Sequence, residues 1–107
     1  MTSELPRPVQ AAVDAANAND LPAFLKSFTP DGVVDDWGRE FRGPDAIAGW
    51  SDKEFIGAQV SLEVTEVTTA GDDVTVTAQV GGNGFNGPSH FTFRVAGDRV
   101  ARMTIRA

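Results

Sequence analysis

A chain of 107 residues that is 41% hydrophobic has the length and apolar content of one domain around a modest core, which excludes a disordered chain. Its net charge of −6 argues against a nucleic-acid backbone or an anionic membrane as partner, and no apolar run is long enough to span a bilayer. The absence of cysteine excludes disulfides and thiolate chemistry, and a single histidine, His90, leaves too few ligands for an ordinary zinc site. No spaced loop of acids suggests a hard cation, so neither metal nor cofactor is expected. Met1–Gln10 is polar, holds two prolines and does not look like a signal peptide, so a cytoplasmic protein is the expectation.

Taken in chain order, Pro6 and Pro8 precede a helix whose apolar stripe is Val9, Ala12, Val13 and Ala16. That helix ends at Asn17–Asn19, and Asp20 caps the next by accepting unpaired first-turn N–H groups. Leu21, Phe24, Leu25 and Phe28 repeat on one helical face, and so few residues separate the two helices that they should pack as a hairpin. Thr29-Pro30-Asp31-Gly32 stops the second helix, because proline cannot continue it and glycine takes turn angles cheaply. Val33-Val34-Asp35-Asp36-Trp37 reads as a strand followed by a turn. Gly43-Pro44-Asp45 starts a third helix, with Ile47, Trp50 and Phe55 on its buried side and Gly57 at its end.

From Gln59 the period changes from 3.6 to 2. Val60, Leu62 and Val64 alternate with polar residues, and Gly71-Asp72-Asp73 is a turn signal. Val74, Val76, Ala78 and Val80 alternate next, followed by the loop GGNGFNGP over Gly81–Pro88. Phe91, Phe93 and Val95 make a further strand, Ala96-Gly97-Asp98 turns, and Val100–Arg106 closes the chain. Helices first and antiparallel strands afterwards make an α+β fold, here without repeat or linker.

Several segments together resemble the nuclear transport factor 2-like superfamily, which includes the SnoaL-like polyketide cyclases and the ketosteroid isomerases. They are the helix ending in NAND, the run LPAFLKSFTPDGVV, the acidic pair Asp35-Asp36 in a strand, and FRGPDAI opening a helix. The closing HFTFRVAGDRVARMTIRA resembles that family's last hairpin. The resemblance implies a cone-shaped curved antiparallel sheet wrapped around three N-terminal helices, with a pocket for a small apolar molecule inside. It also implies a homodimer through the outer sheet face. Here that face would alternate Thr, Arg, Glu and His, making a polar interface. Arg94, Arg102 and Arg106 share one side of the final hairpin, and cross-strand ion pairs with Glu63 and Glu66 are expected there, with an anion site as the alternative.

Adjacent strand residues point to opposite faces, so Asp35 and Asp36 cannot form a carboxylate dyad. The resemblance sets Asp36 on the family's general base and turns Val34 to the pocket as well; an apolar pocket raises a carboxyl's pKa and suits it to that role. The structural alternative is that Asp36 caps a turn or pairs with Arg39 or Arg42. Ketosteroid isomerase stabilises its enolate with a tyrosine and a protonated aspartate. Here the corresponding positions are Ala12 and Ser89, and the chain has no tyrosine. Steroid isomerisation is therefore not expected, and Ser89 or a water is left as donor. Ser51 matches another pocket position of the family.

Expected ligand-facing residues are Trp37, Trp50, Phe85, Phe91, Phe93 and Met103, with Phe85 as a lid in the glycine-rich loop; plain core is the alternative for the phenylalanines. That loop lacks the lysine and the strand–loop–helix setting of a phosphate loop. Alternation turns His90 away from Phe91 and Phe93, toward the surface or an interface. Only a bulge near Pro88 would bring it inward. Two functional readings follow: a small isomerase, cyclase or dehydratase, or a non-catalytic ligand-binding or dimerisation module.

Overall fold

Three helices and six strands make up the computed structural model, which describes residues 5–106. Helix α1 (Arg7–Asn17) buries Val9, Ala12, Val13 and Ala16. Pro8 stands inside its first turn rather than ahead of it, where the missing N–H breaks no helical bond. Asp20 caps α2 (Leu21–Lys26) by accepting from the Ala23 N–H at 3.1 Å.

The second helix is shorter than its apolar spacing predicts, because Ser27 ends it. The Ser27 N–H and hydroxyl both turn back to helix carbonyls, while its own carbonyl accepts from the Val100 N–H at 2.7 Å. Phe28 therefore begins β1 (Phe28–Asp36) instead of closing α2. It reaches the same core by another route, its ring meeting Phe24 edge-on at 5.2 Å. Thr29–Gly32 is a bulge within β1 rather than a turn before it, since pairing resumes at Val33 after the Phe28 pair.

A two-residue turn at Trp37-Gly38 joins β1 to a short edge strand, β2 (Arg39–Arg42). The sequence pattern predicts only a turn here, for REFR has a single apolar residue. Helix α3 (Gly43–Glu54) follows at once. Its end is sharp: the Ser51 carbonyl accepts from both Phe55 and Gly57, and a Cβ on Gly57 would lie 1.6 Å from the Asp52 carbonyl oxygen. Only glycine fits, and the tight exit tucks Phe55 beneath Trp50, their rings stacked at 4.9 Å.

Strands β3 (Ser61–Ala70), β4 (Asp73–Gly81), β5 (Gly87–Ala96) and β6 (Arg99–Arg106) complete a six-stranded sheet in the order β2-β1-β6-β5-β4-β3. Four neighbouring pairs are antiparallel, and β1 with β6 is parallel. The sheet is thus antiparallel with one parallel seam, where the long connection between β1 and β6 lets the chain return in the same direction. Its curved, unclosed inner face carries Val34, Val76, Phe91, Phe93 and Met103 against the helices, which is the α+β cone.

Asn17 ties the first helix to the far edge of the sheet. Its Oδ1 accepts from the Leu62 N–H at 2.7 Å and its Nδ2 donates to the Leu62 carbonyl at 3.0 Å. Asn17→Ala would leave both half-buried groups of an edge strand unpaired. We expect it to lower the unfolding free energy by about 1–3 kcal/mol in urea titrations; a loss no larger than that of an exposed alanine substitution would show that the edge is held by packing alone.

Candidate functional site

The inner face of β1 ends in Asp36, and alternation sends the preceding Asp35 to the outside. The register aligns Asp36 of β1 with Ile105 of β6, and Ile105 with Phe91 of β5. These strand ends, with the C-terminal turn of α3 and the glycine-rich loop, surround a cavity of about 340 Å³. Phe55, Val60, Val80, Phe91 and Ile105 form its apolar wall. Asp36, Lys53 and Glu54 stand in the same lining, and Trp37 and Phe85 contribute rings that remain 59% and 56% exposed.

Asp36 uses one oxygen for the protein. Oδ2 accepts from the Trp50 indole N–H at 3.1 Å and from the Arg39 guanidinium. Oδ1 receives no hydrogen bond among the described residues. Arg39 also grips Glu54 through two hydrogen bonds of 2.7 and 3.0 Å and lies 5.7 Å over the Phe41 ring. The Arg39 pKa is raised, by Glu54 first and Asp36 second, and Glu54 is lowered in return, chiefly by Arg39. The surroundings of Asp36 are therefore not the purely apolar pocket expected of a general base: a cation and an indole donor attend it. Arg42, the other expected partner, points its guanidinium to the Asp31 carbonyl at 3.3 Å.

Ser89 is 3% exposed, lines the cavity, and its hydroxyl has no hydrogen-bond partner among the described residues. It lies on β5, two strand spacings from Asp36, or about 10 Å across the sheet. The two groups thus face the cavity from separate walls. Trp50, stacked on Phe55 and tilted against Phe41 at 6.1 Å, serves core and cavity together. Phe93 and Met103 are fully buried in the core and do not line the cavity. Ser51 is also core, its hydroxyl accepting from the Ile56 N–H at 3.3 Å. His90 is exposed on the outer face opposite Arg106, with unbroken register through Pro88.

Glu54, Lys53 and the Arg39 bridge escape sequence inspection as site residues. One signal was available: Trp50 and Glu54 are four apart on α3 and share a helical face.

The outer face holds the other carboxylate. Asp35 accepts from Arg102 at 2.8 Å, from Arg106 at 3.1 Å, and from the Gly38 N–H at 2.7 Å. Arg102 also reaches Glu40, and Arg94 pairs with Asp73. The arginines of the final hairpin are ion-paired as expected, but with Asp35, Glu40 and Asp73 rather than Glu63 and Glu66. The physical reason is strand order: β4 separates β3 from β5 and β6.

The chain matches the SnoaL-like domain over residues 9–103. It belongs to the SnoaL-like family. A candidate polyketide cyclase from Sinorhizobium meliloti is 34% identical, with 95% of each chain covered and a TM-score of 0.84. A hypothetical protein of ketosteroid isomerase-like fold from Catenulispora acidiphila, in complex with trimethylamine, is 25% identical; 97% of this chain and 87% of that one are covered at a TM-score of 0.82. A Mycobacterium tuberculosis protein in complex with estradiol-17β-hemisuccinate shares the fold at 15% identity, with 97% and 95% covered and a TM-score of 0.79. No curated protein matches the chain by sequence. These SnoaL-like and ketosteroid isomerase-like relatives agree with the cone seen here.

The Arg106 hydrogen bond, opposed by burial and reinforced by Gly38 and Arg102, holds Asp35 below the usual carboxylate pKa. A carboxyl with a lower pKa folded than unfolded stabilises the fold above its unfolded value of about 4. That contribution fades as pH falls through the folded value. Asp35→Asn should therefore cost about 1–3 kcal/mol near neutral pH. The difference from the parent should shrink in urea titrations as pH falls below the unfolded value and the parent carboxyl itself takes up a proton. An equal loss at neutral and acid pH would mean that shape, not charge, is what Asp35 supplies.

Proposed function

We propose that this SnoaL-like protein binds a small apolar molecule in the cavity and that Asp36 serves as general base in an isomerase-, cyclase- or dehydratase-type reaction. One observation carries the reading. A cavity of about 340 Å³ with an apolar wall of Phe55, Val60, Val80, Phe91 and Ile105 contains a carboxylate with one uncommitted oxygen and a hydroxyl with no protein partner among the described residues. Asp36 Oδ1 would take a proton from a carbon beside a carbonyl. The C–H electron pair then moves toward the carbonyl oxygen, which accepts a hydrogen bond from Ser89 or a water. Return of the proton at another carbon isomerises; attack of the enolate on an internal carbonyl cyclises; loss of a β-hydroxyl as water dehydrates. A lone hydroxyl is a weak oxyanion donor, so the acceleration should fall short of what two strong donors give.

The Sinorhizobium relative, described as a candidate cyclase, supports the reaction class, and the Mycobacterium protein shows the fold holding a steroid ester. A second reading has its own observation. Arg39 and Trp50 both occupy Asp36 Oδ2, as they would if the carboxylate only oriented a ligand or closed the turn. We also infer that two copies pair through the polar outer face of β4, β5 and β6, and that the protein acts in the cytoplasm, in keeping with a cysteine-free chain. No described helix is long and apolar enough to cross a membrane. Native mass spectrometry reports both a co-purified apolar molecule and the number of subunits; a strictly monomeric spectrum would remove the pairing.

The chemistry is tested by deuterium exchange beside the carbonyl of 2-tetralone, followed by NMR in heavy water. The parent protein should accelerate exchange, and Asp36→Asn should reduce that acceleration by roughly 10²-fold or more with tetralone affinity changed less than about threefold. Binding without any acceleration by the parent would favour the non-catalytic reading.

A further inference from the structure

Of all the large hydrophobic side chains described, two are exposed, Trp37 and Phe85, and both stand in the lining of the same cavity. They come from unrelated places: the β1–β2 turn, and the glycine-rich loop between β4 and β5. Neither ring packs against another aromatic ring among the described residues, whereas Phe24, Phe28, Phe41, Trp50, Phe55 and Phe91 all do.

The backbone beneath Trp37 is unusual. Trp37 has φ +56° and Gly38 φ +91°, the two left-handed residues of a type I′ hairpin turn. The first position of such a turn favours Asn, Asp or Gly, and a bulky side chain there is strained. The strain is held in place from outside. Gly38 N–H donates to Asp35 Oδ1 at 2.7 Å, and Trp37 N–H donates to the Ile105 carbonyl at 3.3 Å. A tryptophan that takes a strained backbone position, stacks on no other aromatic ring among the described residues and stands more than half exposed in a cavity lining is better explained by what it does there than by the fold.

The loop that carries Phe85 is fastened in a similar way. Asn86 Nδ2 donates to the carbonyls of Gly82 and Gly84, and the Asn83 N–H donates to the Ala58 carbonyl at 2.8 Å. Both residues therefore stand on fastened backbone and are more than half exposed.

We propose that Trp37 and Phe85 form an aromatic clamp at the cavity mouth, that Trp37 is a specificity-determining residue, and that the ligand class is a planar, fused-ring aromatic or enone molecule rather than an aliphatic chain or a puckered ring. The proposal rests on the reading of the cavity as a ligand pocket. A flat ring slides between the two aromatic faces and stacks on them; a saturated ring of equal carbon count fills the apolar wall but meets them with axial hydrogens. Asp36, the last residue of β1 and next to Trp37 in the chain, then sees whichever edge of the flat ligand the clamp presents.

The test compares 2-naphthol with decahydro-2-naphthol, which share a skeleton and differ in planarity, by titration calorimetry. The parent protein should prefer 2-naphthol by about 5- to 10-fold. Trp37→Asn, which places the favoured residue in the turn, should reduce the preference below about twofold, leave decahydro-2-naphthol affinity within about twofold, and melt at the same or a higher temperature. Phe85→Ala should lower the preference in the same sense. Retention of the preference in Trp37→Asn overturns the clamp. So does loss of both ligands together with a lower melting temperature, the mark of a merely structural residue. A change of subunit count in Trp37→Asn with the preference intact also overturns it and makes the exposed ring an assembly contact. Equal binding of the two ligands by the parent overturns the clamp alone, while binding of neither removes the pocket reading with it.

Discussion

Two carboxylates one peptide apart in an extended strand must point to opposite faces of the sheet, and much of this structure is arranged around that constraint at Asp35 and Asp36. The outward one is drawn into a cluster with Arg102 and Arg106, both on β6. It thereby bonds β1 to β6 across the parallel seam and fastens the Gly38 amide of the following turn. The inward one emerges at the cavity. A one-residue slip would either carry Asp35 into the buried place of Val34 or put Val34 where Asp35 meets Arg102 and Arg106, so register is strongly specified here.

The cavity itself is a consequence of how elements end. Ser27 releases the chain from α2 early enough for Phe28 to enter the sheet, and the Thr29–Gly32 bulge absorbs the excess length before pairing resumes. Gly57 lets the chain leave α3 at an angle that no residue with a Cβ permits, setting Phe55 between Trp50 and Phe91. Two helix ends and one bulge, rather than any regular segment, thus set where the strand ends stand relative to α3.

Legibility in the sequence followed the same division. Regular segments were readable because apolar residues repeat with the period of the element: the α1 stripe, the Val74–Val80 alternation and Phe91/Phe93 lie where their spacing puts them. The short strand Arg39–Arg42 was not, since it is held by backbone pairing to β1 and carries almost no apolar signal. The parallel seam was hidden for a related reason, because partners far apart in sequence leave no local trace. At the site, Asp36 and Trp50 were visible through family resemblance. The Arg39–Glu54 bridge depends on the approach of a hairpin to a helix end, which no spacing rule encodes.

That bridge sets the charge presented at the mouth of the proposed ligand pocket. The chain carries a net charge of −6, yet two acids, Asp36 and Glu54, and two bases, Arg39 and Lys53, meet around the opening. The local balance is neutral, and Arg39 spans both acids so that neither presents an uncompensated charge to an apolar guest. An unpaired Asp36 and Glu54 would favour a cationic guest in the proposed pocket, and Arg39, bonded to both, removes that preference. It also takes Asp36 through Oδ2 alone and so leaves Oδ1 without a protein donor among the described residues, which is what the proposed proton abstraction requires of that carboxylate.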